Sequence, residues 1–402
     1  METMNCRVLN RDDFVVRMFI KDEKQEIPTL DNPGKAPRAI RPMSPELNLE
    51  LGRYIRPLEK ALYIGLNRVF GEGSVAKGLN SNQVAQSILD HWLFVQTYHG
   101  EPVSISTDMS RFDQHVSVPA LRFVRDICKA ILVRSGVPKY SVDYFIYLWN
   151  GTMKTFNVCS TRDGKLEFHR RGTLCSGVMY TSLCGVVLTM LMLGGCAKSL
   201  GVKGFRMISA GDDTNPILPL SESQRYCEAL PGYCRQFGFS VKVDAVSPKL
   251  EDIEFCRSKP VFDGLGYRMV RFVGPALIKD LMSTKLQPGE RNWRKRLAAI
   301  GSCGMALCGG MPVMQSFYAM MLRAGRGETG SLDEPYGGMA RMARGMSYVY
   351  SEPSVAARVS FHAAFGLDAA DQVRLERAYD RVTMRYGSPD DLRHTVCSLF
   401  RI

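Results

Sequence analysis

The sequence predicts an α+β fold centred on a split βαβ sheet, and three observations carry that expectation. Two short apolar runs meet at an adjacent Asp-Asp step, Asp212 and Asp213 in ISAGDDTNPIL (208–218). A second acidic pair lies upstream in STDMSRFDQHVS (106–117), where Asp108 ends a strand-like run and Asp113 comes five positions later. From residue 103 onward the order reads strand, helices, hairpin, glycine-marked loop, buried helix and strand pair, which is a split βαβ arrangement.

Each element follows from local pattern. The first forty residues alternate a strand-like piece, Phe14 to Ile20, with polar turns at Pro28, Pro33 and Pro37, and carry Lys21, Lys24, Lys35 and Arg38, with Arg41 just beyond. Residues 46–70 have helical apolar spacing, expected to break at Pro57. Val103 to Ser106 reads as a strand, LRFVRDICKAILV (121–133) as an amphipathic helix, and Tyr140 to Trp149 as a second helix. Thr155 to Val158 and Leu166 to Phe168 flank the turn Arg162-Asp163-Gly164, a hairpin signal. Beyond the loop Gly172 to Gly177 and the acidic strand pair, 222–237 reads as helix. Ser240 to Val243, Ile253 to Cys256 and Gly266 to Val273 read as strands. From about 290 the chain turns helical, beginning with the basic run Arg291, Arg294, Lys295 and Arg296. Arg374, Arg377 and Arg381 share one helix face, either simply solvated or facing RNA.

Composition narrows the function classes. With 402 residues and 45% apolar content the chain can bury a large core, and its formal charge of +12 suits a polyanionic partner without requiring one. Twelve cysteines lie between Cys6 and Cys397 without a Cys-x-x-Cys pair, and the six histidines are dispersed. That pattern argues against zinc and against a secreted disulfide framework, and favours reduced thiols. METMNCRVLNRDDF has no apolar stretch of signal-peptide length. Leu174 to Ala197 carries no charge, but its strongest apolar part, Val186 to Leu193, is short. Ser176, Thr181, Ser182 and Thr189 interrupt the stretch, so it reads as a helix buried under a sheet rather than a membrane span.

The paired acids point to chemistry. Adjacent like charges at a tight turn repel unless cations sit there. Phosphoryl transfer to a ribose 3′-hydroxyl uses two divalent ions roughly 3.5–4 Å apart, and hard cations of the magnesium type take oxygen ligands. Asp108 and Asp212 are then the principal ligands and Asp213 the peripheral one. Gly-Asp-Asp alone also makes an ordinary hairpin turn, so context has to carry the assignment.

Taken together these strings resemble the RNA-dependent RNA polymerases of positive-strand RNA viruses, within them the tombusvirus-like group. STDMSRFDQHVS is similar to motif A, RGTLCSGVMYTSLCG (171–185) to motif B, ISAGDDTNPIL to motif C and IEFCRSKPV (253–261) to the string after motif D. KAPRAIRPMSPELNLELGRYIRPLE (35–59) resembles finger motif F and the segment behind it, and FIKDEK (19–24) the stretch just upstream. The resemblance implies a right-hand fold with a ferredoxin-like palm sheet and a mostly helical thumb. Its expected divisions are fingers at 1–102, motif A palm at 103–120, a fingers or palm insertion at 121–170, palm motifs B to E at 171–275, and thumb at 276–402. It also implies template-directed RNA synthesis in genome replication, two Mg²⁺ ions with Mn²⁺ as a substitute, and RNA template, nascent RNA and NTPs as partners. The expected setting is host cytoplasm, at membrane-associated replication sites reached through a replicase partner.

Residue by residue, the resemblance makes Asp108, Asp212 and Asp213 the catalytic metal ligands and Asp113 the reader of the ribose 2′-hydroxyl. Ser176, Gly177 and Thr181 match the motif B loop and helix start. Lys35, Arg38 and Arg41 match the basic cluster that cradles the triphosphate, guanidinium forks suiting phosphate oxygens. Two departures stand out. Gly185 occupies the position of the motif B asparagine, which leaves Asp113 without its expected partner. Few residues precede FIKDEK, so the finger region is expected to be short relative to the family, the chain being part of a longer product or borrowing fingers from another polypeptide.

Plainer roles exist for the same residues: Asp113 as partner of Arg111 or a helix cap, Arg38 and Arg41 as a solvated loop, Thr181 and Ser182 as helix residues bonding back to carbonyls. For a motif D proton donor, Lys242 and Lys249 both qualify. A nucleotidyl cyclase or a non-catalytic RNA-binding replicase subunit are the competing functions; the basic cluster and the large C-terminal region argue against the first.

Overall fold

The computed structural model of the chain describes residues 8–22, 36–161, 163–283, 289–328 and 337–387. Lys24, Lys35, Arg162 and the turns expected at Pro28 and Pro33 lie outside those residues. The chain forms two internally packed units, Met1–Lys77 with Ser87–Lys249, and Gly78–Gln86 with Leu250–Ile402.

The first unit holds two four-stranded sheets. Strands β1 (Val15–Ile20), β2 (Ala39–Ile40), β4 (Lys154–Thr161) and β5 (Gly164–Arg171) form one sheet in the order β2-β1-β4-β5. Here β1 and β4 are parallel, while β4 and β5 are the antiparallel hairpin expected from Asp163-Gly164. Strands β3 (Pro102–Met109), β6 (Arg206–Ser209), β7 (Thr214–Pro219) and β8 (Val241–Ser247) form the other, ordered β6-β7-β3-β8 with all neighbours antiparallel. The connections are strand, helices, hairpin, helix, strand, which is the split βαβ topology.

Helices complete this unit: α1 (Pro45–Phe70), α2 (Ser81–His99, grouped here from Ser87 onward), the short α3 (Phe112–His115), α4 (Val118–Arg134), α5 (Lys139–Thr152), α6 (Thr181–Ser199) and α7 (Leu220–Arg235). Among the described residues α6 is the only helix long and apolar enough to cross a bilayer, and most of it is buried inside the protein. A helix that is apolar on every face needs such a position. Leu183, Val186, Met190 and Leu193 pack in one continuous core with Ile105 of β3 and Met207 of β6.

Two expectations are corrected. Helix α1 does not break at Pro57 but runs unbroken to Phe70. It is entered through Ser44, whose Oγ accepts from Leu47 N at 3.1 Å, and Leu47, Leu51, Ile55 and Leu58 are each no more than 2% exposed. Burial of side chains of this kind stabilises by about 1.5–3 kcal/mol apiece, against roughly 3 kcal/mol for an internal proline, so packing decides. Ile253–Cys256 is not a strand: a 3-10 turn at Leu250–Asp252 leads to an isolated bridge between Phe255 and Ser258.

The second unit opens with the hairpin β9 (Ser258–Phe262) and β10 (Tyr267–Arg271), followed by α8 (Val273–Leu281), α9 (Glu290–Cys308), α10 (Met314–Gly325), α11 (Gly337–Met342), α12 (Val355–Phe365) and α13 (Ala369–Arg381). Its own core gathers Val261, Val270, Ile300, Met314, Phe317, Tyr318 and Phe361. Its buried acid Asp280 has a cationic partner. Arg271 grips Asp280 through both amino nitrogens at 2.8 and 3.2 Å, and the Tyr318 hydroxyl donates to the same carboxylate at 2.9 Å.

Candidate active site

Strand β3 is buried along its length apart from half-buried Ser106 and Asp108, its one exposed position. Both neighbours bring chemistry to that end. In the β3–β7 pairing Thr107 faces Thr214, and the Thr107 hydroxyl donates to Thr214 O at 2.8 Å. One step further along both strands sets Asp108 level with the acidic turn. In the β3–β8 pairing Asp108 faces Lys242, after a register shift between Ser106 and Thr107. Irregularities of this kind re-aim side chains at strand ends.

The turn between β6 and β7 is rigid for local reasons. Ala210 N donates to Asp213 O at 2.8 Å, and Gly211 adopts φ +118, which only glycine tolerates cheaply. Beneath it the buried Thr214 hydroxyl donates to Ser209 Oγ at 2.7 Å and Gly211 O at 2.8 Å. The segment Ser74–Ala76 clamps Ser209 from the other side, Ser209 N reaching Ser74 O and Ala76 N reaching Ser209 O, both at 2.8 Å. With its core face pinned, the turn presents Asp212 exposed and Asp213 half-buried.

Asp113 sits on α3, entered through Arg111 in the left-handed region at φ +48 and held by Phe112 stacked on Phe239. Its carboxyl is pushed up to about 6, first by burial and then by the charge of Asp212, with Arg41 pulling the other way. Asp113 and Asp212 are therefore electrostatic neighbours. Leu174 N donates to Asp113 O at 2.8 Å, which ties the loop before α6 to this turn.

The residues of that loop are engaged with the basic segment. Gly177 pairs with Pro42, and a Cβ on Gly177 would lie 2.6 Å from Pro42 Cα, so glycine is required by the close approach. Ser176 is exposed and its Oγ accepts from Arg41 N at 3.0 Å. The Thr181 hydroxyl donates to Cys175 O and Val178 O at 2.6 and 2.7 Å, the backbone-bonding role. Gly185 faces the acidic turn: a Cβ there would sit 3.5 Å from Gly211 Cα, an ordinary contact that local packing does not forbid.

Arg38 is exposed, and its carbonyl accepts from Lys21 N at 2.8 Å, extending the β1–β2 pairing. Arg41 is half-buried, its guanidinium shared among Asn157, Thr155 and Thr173. Sequence reasoning missed those three. For Thr155 and Asn157 the available signal was two polar residues two apart in a strand, alternating with Phe156 and Val158. Lys242 ion-pairs with Asp244 at 2.8 Å, and Asp244 first, then Asp108, hold its ammonium above the usual lysine range. Lys249 lies past the end of β8.

The donor set fits hard divalent cations. Asp108 is an exposed oxygen donor near the end of β3 and Asp212 another on the neighbouring turn, and Asp113, raised first by burial, also feels the charge of Asp212. Among the described residues no three His, Cys, Asp or Glu side chains close into a ready-made metal cage. Magnesium commonly binds through one or two carboxylates, water and substrate phosphates, so an open arrangement suits it.

This sheet carries acids on an interior strand and on the neighbouring turn. A family model for viral RNA dependent RNA polymerase matches residues 1–387. The chain belongs to that family. Among its relatives are RNA-directed RNA polymerases of Oat chlorotic stunt virus, 33% identical over 94% of this chain and 51% of the relative, and of Groundnut rosette virus, 33% identical over 94% and 43%. That of Carnation mottle virus is 33% identical over 92% of this chain and 47% of its own length. The chain thus spans about half the length of the curated relatives it matches, or less.

Proposed function

We propose that the protein synthesises RNA on an RNA template, joining nucleoside monophosphates from NTPs to an RNA 3′-hydroxyl during viral genome replication. The observation that carries this is the acidic β6–β7 turn registered against Asp108, with Asp113 electrostatically coupled to Asp212. Family membership supplies the reaction class. In the right-hand reading most of the fingers and palm would fall in the first unit, and residues 250–275 of the palm with the thumb in the second, the divisions 1–102, 103–120, 121–170, 171–275 and 276–402 being retained.

Asp108 and Asp212 would hold two divalent ions, Mg²⁺ or Mn²⁺, with Asp213 at the periphery. When bound, such ions supply charge neutralisation at the attacking hydroxyl and the departing pyrophosphate. The chain's own groups do the rest. Asp113 accepts from the ribose 2′-hydroxyl, Arg38 reaches the triphosphate, and the Ser176–Gly177 loop lies against the nascent base pair. Lys242, protonated and opposite Asp108, donates a proton to the leaving group. The setting we assign is host cytoplasm, at membrane-associated replication sites reached through a replicase partner.

Primer extension by the purified chain on an RNA template, with Asp212→Ala as control, tests the reading. Template-dependent incorporation that falls by at least about 10³-fold in the variant is expected, since metal-assisted charge stabilisation is worth several kcal/mol. Equal incorporation by both proteins would refute the site. RNA binding with no synthesis under any divalent ion would make the chain a non-catalytic RNA-binding subunit.

A further inference from the structure

We propose that Thr155 and Asn157 of β4 are positioning residues that fix the Arg41 guanidinium, and through it keep the Ser176–Gly177 loop in register for nucleotide binding. The proposal rests on the polymerase reading above.

Thr155 and Asn157 are 2% and 0% exposed, two apart on one strand, and therefore on one face of the sheet. Polar side chains buried in a strand are costly unless bonded. Both are turned to Arg41. Its Nε donates to Asn157 Oδ1 at 3.1 Å, Nη2 to Thr155 Oγ1 at 3.2 Å, and Nη1 to Thr173 Oγ1 at 2.6 Å. Asn157 is itself oriented, because its Nδ2 donates to Thr155 O and Thr155 Oγ1, both at 3.1 Å, leaving Oδ1 for the arginine.

The chemistry of this cradle is informative. All three guanidinium nitrogens meet neutral oxygens, and among the described residues none is bonded to a carboxylate. A carboxylate would hold the fork as firmly but would cancel its charge. Here the geometry is fixed while the positive charge stays available, and Asp113 feels it. A group meant to meet an anion benefits from being held in that way, since less ordering remains to be done on binding.

The backbone of the same residue carries the loop. Arg41 N donates to Ser176 Oγ at 3.0 Å, and Gly177 N donates to Arg41 O at 3.1 Å. Met43 N at 3.4 Å and Asn48 Nδ2 at 2.9 Å both donate to Gly177 O. With Gly177 pressed on Pro42, the loop has no slack relative to Arg41. Releasing the guanidinium from β4 therefore displaces both the cation and the loop, although neither Thr155 nor Asn157 touches a substrate.

The test compares Thr155→Val, which is nearly isosteric and lacks the hydroxyl, with Thr155→Ser, which keeps it, each in the wild-type and the Arg41→Ala background. Two readouts are taken on the full chain: NTP KM and kcat in primer extension, and fluorescence binding of a non-incorporable ribonucleoside triphosphate analogue without RNA. Thr155→Val is expected to raise KM and weaken analogue binding about tenfold, in line with loss of a hydrogen bond to a charged donor, with kcat changed less than about threefold. Thr155→Ser should stay near wild type, and Thr155→Val should add nothing once Arg41 is alanine. An undiminished effect in the Arg41→Ala background, or equal damage from Ser and Val, overturns the proposal. If the wild type binds the analogue but makes no RNA, the polymerase reading fails while the binding comparison still decides this one. A wild type that binds no triphosphate overturns both.

Discussion

Asp280 in the second unit and Asp113 in the first are both carboxylates drawn out of water, yet their surroundings have opposite sign. Asp280 is 5% exposed and meets a two-pronged arginine and a tyrosine hydroxyl. Asp113 is pushed up to about 6 by burial and by Asp212, and Arg41 only partly offsets them. The first arrangement neutralises its charge internally and belongs to the architecture. The second leaves a carboxyl group whose burial and acidic neighbour outweigh the pull of Arg41, which costs stability in the isolated chain; on the proposed reading that cost would be offset when cations bind.

The largest effect that would break this contrast is at the acidic turn. Asp108→Ala and Asp212→Ala should each lower incorporation by about 10³-fold or more, while urea unfolding in EDTA shows no loss of stability. Variants that unfold easily in EDTA would mean these acids are structural after all. Asp280→Ala should behave in the reverse manner. Leaving the Arg271 charge without its partner costs about 3 kcal/mol, the low end of the usual range because Arg271 is partly exposed. Specific activity of the folded fraction should change less than about threefold; a larger change at unaltered stability would assign Asp280 a functional role.

A smaller effect is expected at β8. Lys242→Leu should reduce kcat about 10²-fold, as for removal of a general acid, and Lys249→Leu should have little effect. The opposite ranking in single-turnover kinetics would move the proton donor to Lys249. The smallest effect sharpens the comparison through pH. The Asp113 carboxyl is raised from 3.8 to about 6, so between those values the unfolded chain ionises before the folded one, and stability falls as pH rises. The penalty is absent below about pH 4 and full above about pH 6. Asp113→Asn should thus stabilise the metal-free protein by about 2 kcal/mol at about pH 7.5, discounting the nominal shift for partial exposure, and by almost nothing at about pH 4. Unfolding midpoints at the two pH values report this; a gain equal at both would point to packing instead of charge.

The parts legible in the sequence were those whose cause is local. Adjacent aspartates between Ile208 and Ile217 announce a tight turn between two strands, and Asp163-Gly164 announces the β4–β5 hairpin. The apolar run behind Thr181 announces a helix with no wet face. The parts that escaped were set by distant neighbours. Pro57 carries its usual local penalty, yet Leu47, Leu51, Ile55 and Leu58 are packed on both sides of it. Ser258–Phe262 pairs as β9 only because Tyr267–Arg271 lies beside it. Arg41 looks like any basic loop residue until Thr155, Asn157 and Thr173, more than a hundred positions downstream, are brought to its guanidinium. Lys35 lies outside the described residues, so its expected place in the basic cluster stays a matter of sequence.

Helix α6 has a consequence for how the protein is made. Its surroundings are drawn from both directions along the chain: α1 and α4 precede it, whereas β6, β7 and α7 come after it. During synthesis at ~5–20 residues per second, the ribosome needs several seconds to deliver Leu200 to Arg235 after α6 has emerged. For that interval a strongly apolar helix is held with only its upstream cover, and it has the length that bilayer-insertion machinery accepts. Yield of folded protein should therefore depend on holding chaperones and on translation speed across 200–235, a vulnerability of the newborn chain that the finished fold conceals.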